Sequence, residues 1–265
     1  MNILLVGDVV GAPGRRALRE LLPRLRRQHG IDFCVVNGEN AAGGRGITRA
    51  VFRELCDTGA DVVTLGDHAW DQDEIAGVID GESQLLRPAN TQAGQPGRGH
   101  VVCVAPGGVK VGVLNLIGRV YMPPSDCPFA AAERILGLWP AHQVPVIVVD
   151  FHAEATSEKI ALGRFLDGRV SAVAGTHTHV QTADEAVLPG GTAYITDLGM
   201  TGPMDSVLGR EVSAVLRRFV SGMPTRLPVA KADIRLHGLL VDVDETSGRA
   251  RTARRIAEPL AEAGS

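Results

Sequence analysis

Short runs of aliphatic and β-branched residues recur along the chain, each closing on a glycine, an acid or an amide. Between them the apolar positions change to a spacing of three and four. Asn2 to Val6 reads as a buried strand, and Ile31–Val36, Asp61–Leu65, Pro145–Val149 and Val170–Ala174 read the same way, apolar enough to be covered on both faces. Helical spacing marks Pro13–Gln28, where Leu18, Leu21, Leu22 and Leu25 share a face, and also Thr48–Thr58, Thr156–Asp167 and Asp205–Val220. A second type of strand, at Val101–Val104, Val109–Leu116, Thr192–Thr196 and Ile234–Val243, lies close enough in sequence to pair antiparallel. The pattern predicts an α/β fold with mixed sheets. Ala93–His100 reads as a Gly- and Pro-rich surface loop, and the polar tail Gly248–Ser265 either frays or packs along an edge.

Composition narrows the picture. At about 150 residues per domain, 265 residues allow one large domain or two small ones, and no linker, repeat or low-complexity tract divides the chain, so one domain over 1–265 is expected. The 27 Lys and Arg against 30 Asp and Glu leave a net charge of −3, which gives no electrostatic reason to expect nucleic acid or an anionic membrane as partner. An aromatic content of 4% argues against a base-stacking platform. No apolar run nears the roughly 20 residues that span a bilayer, and the first run stops at Asp8, against a signal peptide or anchor of ordinary form. Cys34, Cys56, Cys103 and Cys127 lack CxxC spacing and read as buried, reduced thiols of a cytoplasmic protein. Arg15, Arg16, Arg19, Arg24, Arg26 and Arg27 read as the solvated face of a helix.

The chemistry concentrates where strands end. Gly7-Asp8, Asn37-Gly38-Glu39-Asn40, Gly66-Asp67-His68, Asp150-Phe151-His152 and Gly175-Thr176-His177-Thr178-His179 each follow an apolar run. In open sheets, ligands gather in the crevice at the carboxyl ends of strands, so distant residues can converge there. Gly7-Asp8 alone reads as a turn or helix cap. Glu39-Asn40 is followed by Ala41-Ala42-Gly43-Gly44, small residues that let backbone approach a bound group. The most specific element is the His177/His179 pair, placed where imidazoles serve no packing need. His29, His100, His142 and His237 read as surface or structural. The remaining four histidines and three acids exceed one four-coordinate site, and two metals sharing a carboxylate would use them all.

This order of motifs resembles the calcineurin-like metallophosphoesterases. Three departures stand out: Val10 stands where the superfamily has a histidine, Glu39 replaces its bridging aspartate, and Asp67 replaces its asparagine. With Gly-Asp-Val-Val-Gly at the start, Asn-Gly-Glu-Asn-Ala-Ala-Gly-Gly, and Asp-Phe-His-Ala-Glu-Ala-Thr-Ser-Glu-Lys, the chain resembles the YmdB-like bacterial phosphodiesterases from Met1 to about Asp242. The resemblance implies two packed mixed β-sheets flanked by helices, a four-layer sandwich, and two divalent or trivalent metal ions, iron or manganese, with zinc also compatible. It makes Glu39 the bridging carboxylate, Asp8 and His179 ligands of one metal, and Asp67, His152 and His177 ligands of the other. Asn40 is a further ligand candidate, for the place that Val10 cannot fill.

The implied activity is hydrolysis of a small phosphodiester such as a 2′,3′- or 3′,5′-cyclic nucleotide. A metal-bridging hydroxide attacks, and His68 is the candidate proton donor to the departing oxygen, its other reading being a hydrogen bond to a phosphate oxygen. With Asp8 and Glu39, Asp67 brings a third negative charge to the two metals, which tightens binding and lowers the positive field. Glu154, Glu158 and Lys159 are either supporting groups or an ordinary first helical turn. Trp70, Tyr121 and Phe151 lie near the motifs, with packing the expected role. Two rival readings differ in class. An amidohydrolase-type barrel would carry its His-x-His after the first strand. A metal-containing regulatory protein would bind RNA or a protein partner without turnover. Self-association into a homo-oligomer is compatible with each.

Overall fold

The computed structural model describes residues 1–140 and 143–261, so His142 and the tail beyond 261 lie outside the described residues. The first half contains β1 (Asn2–Val6), β2 (Asp8–Val9), α1 (Gly11–His29), β3 (Ile31–Asn37), α2 (Arg49–Thr58), β4 (Val62–Thr64), β5 (Leu85–Leu86), β6 (His100–Val104), β7 (Lys110–Ile117) and α3 (Pro128–Leu136). There follow β8 (Val146–His152), α4 (Thr156–Phe165), β9 (Ala172–Thr176), β10 (Ala186–Val187), β11 (Ala193–Ile195), β12 (Met200–Pro203), α5 (Val212–Ser221), β13 (Ile234–Val243) and β14 (Ala250–Pro259).

Two mixed sheets result. One has eight strands in the order β2-β12-β13-β1-β3-β4-β5 with β14 beside β13, and the other has six, ordered β10-β11-β9-β8-β7-β6. β1, β3, β4 and β5 are successive parallel neighbours, as are β7, β8, β9 and β11. Parallel strands end at one edge of a sheet, so their terminal residues are delivered side by side. The sheets face each other across one core, to which Ile3, Leu5, Phe33 and Val35 of the first contribute with Val111, Val113, Val146 and Val148 of the second. α1 and α2 cover the outer face of the first sheet, and α3 and α4 that of the second. On α1, Leu18, Leu21, Leu22 and Leu25 are all buried, each contributing about 1.5–3 kcal/mol relative to exposure. The four layers are therefore helix, sheet, sheet, helix, and no barrel is formed.

Several expectations are corrected. The helix expected over Asp205–Val220 starts only at Val212. Leu208 and Gly209 hold φ of 50° and 88°, a left-handed pair that a right-handed helix cannot include. The strand at Ala193–Ile195 pairs parallel with β9 and antiparallel only with the two-residue β10. Arg15 and Arg26 are not simply solvated: Arg15 Nε pairs with Glu54 at 2.8 Å, and Arg26 pairs with Asp61. All four cysteines are free, but only Cys34 is fully buried. Burial pushes its thiol up to about 12, which leaves it unreactive. Of the two fates open to the tail, it takes the edge, as β14 pairs along β13 from Ala250 to Pro259. Among the described residues no helix is long and apolar enough to cross a membrane.

Candidate metal centre

The ends of β1, β3, β4, β8 and β9 open into one cavity of about 590 Å³, lined among others by Glu39, Asn40, His68, His177 and His179. Glu39 is 1% exposed and lies 3.2 Å from His152 Nε2. The same His152 nitrogen is 3.0 Å from Asp67 Oδ1 and 3.0 Å from His177 Nδ1. One donor atom from each of Glu39, Asp67, His152 and His177 falls within 4.8 Å of the others. Beside this group, His179 Nε2 is 3.1 Å from Asn40 Oδ1 and 3.9 Å from Asp8 Oδ1. All seven side chains expected at the centre are thus gathered there, while Val10, also lining the cavity, offers no donor.

The imidazoles are oriented by what their other nitrogens meet. His152 Nδ1 is 2.9 Å from Thr176 Oγ1, whose hydroxyl donates to Asp150 Oδ1 at 2.7 Å. His177 Nε2 is 3.2 Å from Glu154 Oε2, and His179 Nδ1 is 3.3 Å from the Leu208 carbonyl. With its proton on the outer nitrogen, each ring can present the lone pair of its inner nitrogen to a cation at the centre. Lone pairs then face lone pairs: His152 Nε2 against His177 Nδ1, and His179 Nε2 against Asn40 Oδ1. Such a cluster could hold a cation between its members.

Two further observations fit a metal. Asp8 Oδ1 is buried with no hydrogen-bond partner, a cost of about 1–3 kcal/mol or more for a charged group unless a cation satisfies it. Burial pushes the Asp8 carboxyl up to about 7, against the pull of His152 and with the push of the Glu39, Asp197 and Asp150 carboxylates. Burial also opposes ionisation of Asp67, but the hydrogen-bond contacts with His152 and His177 overcome it and hold that carboxyl well below the usual range. At His179 burial holds the ring below its ordinary value, which favours the neutral, ligating form. Gly66 completes the fit: a Cβ there would lie 2.2 Å from His152 Cδ2 and 2.3 Å from Glu39 Oε2, so only glycine leaves room for the donors.

His68 sits beside this cluster rather than in it. Its backbone N–H donates to Glu39 Oε2 at 3.2 Å, its Nδ1 is 2.9 Å from Asp71 Oδ2 and its Nε2 is 3.9 Å from Asp67 Oδ2, with the residue lining the cavity. Of the pair holding the His-x-His turn, Lys159 is one of the residues with two readings in the sequence, while Asp197 carries no signal there. His177 and His179 hold φ of 98° and 65°, unusual for residues with a Cβ. Between them Thr178 donates both N–H and Oγ1 to Asp197 Oδ2, at 3.1 and 2.7 Å. Lys159 Nζ reaches the same oxygen at 2.6 Å, with Lys159 and Asp197 1% and 0% exposed. The only signal for this pair was the position of Lys159 shortly after His152. Of the aromatic residues near the motifs, Phe151 is fully buried and Tyr121 is 90% exposed. Trp70 packs against the first core.

A family described as YmdB-like protein matches residues 4–256. The 2′,3′-cyclic-nucleotide 2′-phosphodiesterase of Bacillus subtilis (strain 168) is 47% identical over 256 residues, covering 97% of this chain and 96% of its own. Among solved structures, a hypothetical protein from Thermus thermophilus superposes with a TM-score of 0.91 at 40% identity, covering 98% of this chain and 99% of that one. A novel phosphatase from Mycoplasma pneumoniae does so with 0.90 at 32% identity, over 98% and 94%. Agreement of this extent, in sequence and in backbone alike, places the chain in the YmdB-like family.

Proposed function

We propose that this chain is a metal-dependent phosphodiesterase acting on a small phosphodiester, a 2′,3′- or 3′,5′-cyclic nucleotide. Asp8, Glu39, Asn40, Asp67, His152, His177 and His179 would hold two metal ions, with Glu39 shared between them. The observation that carries the reading is the meeting of inner lone pairs from His152, His177 and His179 with Asp8 Oδ1, which is buried and unpartnered. The activity of the Bacillus subtilis relative supports the substrate class. Bound metals would supply Lewis acidity, neutralising phosphoryl charge and lowering the pKa of coordinated water.

The chain's own groups do the rest. Asp71 accepts from His68 Nδ1–H and fixes the ring, so that Nε2 is the atom that passes a proton to the departing ribose oxygen, a step worth about 10²–10⁴-fold. Glu154, Thr176 and the Leu208 carbonyl hold the three ligating imidazoles in one tautomer each. The test is metal analysis of the purified protein alongside hydrolysis of bis(p-nitrophenyl) phosphate and of 2′,3′- and 3′,5′-cyclic nucleotides. Two metals per chain with diesterase turnover are expected, and metal-loaded protein without any diesterase turnover would overturn the reading.

A further inference from the structure

The cavity has a second, cationic wall that metal binding leaves unused. Arg45, Arg210 and Arg218 line it together with His68 and His179. Arg45 is engaged, its Nε 2.9 Å from Asp71 Oδ2. Arg210 lies against the glycine loop, with Nη2 donating to the Gly44 carbonyl at 2.6 Å and Nη1 to that of Leu227 at 3.2 Å. Gly44 has a φ of 91°, and a Cβ there would fall 2.6–2.8 Å from the guanidinium atoms, so glycine is what lets the arginine close onto the backbone. Among the described residues no carboxylate pairs with Arg210 or Arg218. Burial, and then the nearby Arg45, push the Arg210 pKa down, so its half-buried charge lacks an anion. Glu154, which also lines the cavity, is turned to His177.

A guanidinium has five N–H donors in a planar fork, and Arg210 gives only two of its groups to carbonyls. Its remaining donors suit a phosphate. A single cyclic phosphodiester is a monoanion, and the carboxylate–histidine end is sufficient for it once metals are bound. A separate pole of positive charge in the same cavity answers a second anion. In a 2′,3′-cyclic nucleotide the ribose O2′ and O3′ are taken, so O5′ is the ribose oxygen left to carry one. We propose that Arg210 and Arg218, with Arg45 at the rim, form a subsite for a phosphate on the 5′ oxygen of the ribose whose cyclic phosphate is opened. The inference rests on the phosphodiesterase reading and names its substrate as a 5′-phosphorylated or oligonucleotide-terminal 2′,3′-cyclic phosphate.

The experiment compares kcat/KM, on metal-loaded full-length protein, for adenosine 2′,3′-cyclic phosphate, its 5′-phosphorylated form and adenylyl-(3′→5′)-adenosine 2′,3′-cyclic phosphate. The second phosphate is expected to raise kcat/KM about tenfold or more, the return of charge-assisted hydrogen bonds to one phosphate. The advantage should shrink as salt rises. Preference for both phosphorylated substrates assigns the subsite to any 5′-phosphate, and preference for the dinucleotide alone to an internucleotide link. In Arg218→Ala, a change on the exposed side of α5, and in Arg210→Gln, the ratio between substrates should fall toward one. Equal kcat/KM for all three substrates, or a preference that survives both substitutions together, overturns the subsite. Turnover of any of the three substrates, or of bis(p-nitrophenyl) phosphate, tests the phosphodiesterase reading on its own, and its absence from all of them overturns that reading and the subsite with it.

Discussion

Asp67 and Gly66 are adjacent, yet substitutions at the two should fail in different ways. Asp67→Asn keeps an oxygen donor beside His152 and His177 but removes a charge, so metal content per chain should stay near the wild-type value while kcat changes. Complete loss of metal by elemental analysis would refute the assignment of Asp67 as one donor among several. Gly66→Ala forces a methyl group into atoms 2.2–2.3 Å away, and both metal content and turnover should fall together, turnover by about 10²-fold or more for a misplacement of this size. His237, far less conspicuous in the sequence, gives a pH signature. Burial, helped by Arg235, lowers its pKa from 6.5 to about 4, so the fold requires the neutral ring. Stability is fully present above about pH 6.5 and is lost as pH falls toward 4. In His237→Gln the part of the acid-side loss that falls in that window should be smaller, as read from denaturant midpoints at successive pH values.

At the scale of elements, the turn after β9 depends on α4. Lys159 on α4 and Asp197 after β11 bury a charge pair whose shared oxygen also holds Thr178. Lys159→Met leaves that carboxylate buried without its counter-charge, a loss of about 3–5 kcal/mol, measurable by urea unfolding. The milder Thr178→Val should keep most of the stability but lower metal affinity by releasing His177 and His179. These elements also show what the sequence made legible. The β1, β3, β4, β8 and β9 strands are legible as short, mostly apolar runs, and because each candidate donor lies at its strand's end or just beyond, the candidate set is legible with them. β2, β5 and β10 were not, since two residues carry no period. α3 was missed because Pro128-Phe129-Ala130-Ala131-Ala132 shows an apolar run without a polar face. The Asp197 anchor and the Arg210–Gly44 contact join segments 38 or more residues apart, and no local pattern encodes such a meeting.

At the scale of the whole molecule, the candidate metal centre is a junction between the two sheets. Asp8, Glu39 and Asp67 come from the first, and His152, His177 and His179 from the second. Metal bound there should stabilise the pair of sheets as one unit. Removal by a chelator should lower Tm, by the equivalent of about 2.7 kcal/mol for each site whose free metal stood 100-fold above Kd. Readdition should restore Tm, and an unchanged Tm would show that the sheets hold without help from the centre. The register of β1 bears on how the chain is made. That strand is sandwiched between β3 and β13, with Asn2 opposite Asp242 and the amino terminus bonded to the Val243 carbonyl. During synthesis the first strand must wait beside β3, one flank bare, until β13 has left the ribosome. The three histidines of the candidate centre also emerge well after its three acids, so a nascent chain holds only half of the candidate donors until β9 has been made, and any metal loading becomes a late event of biogenesis.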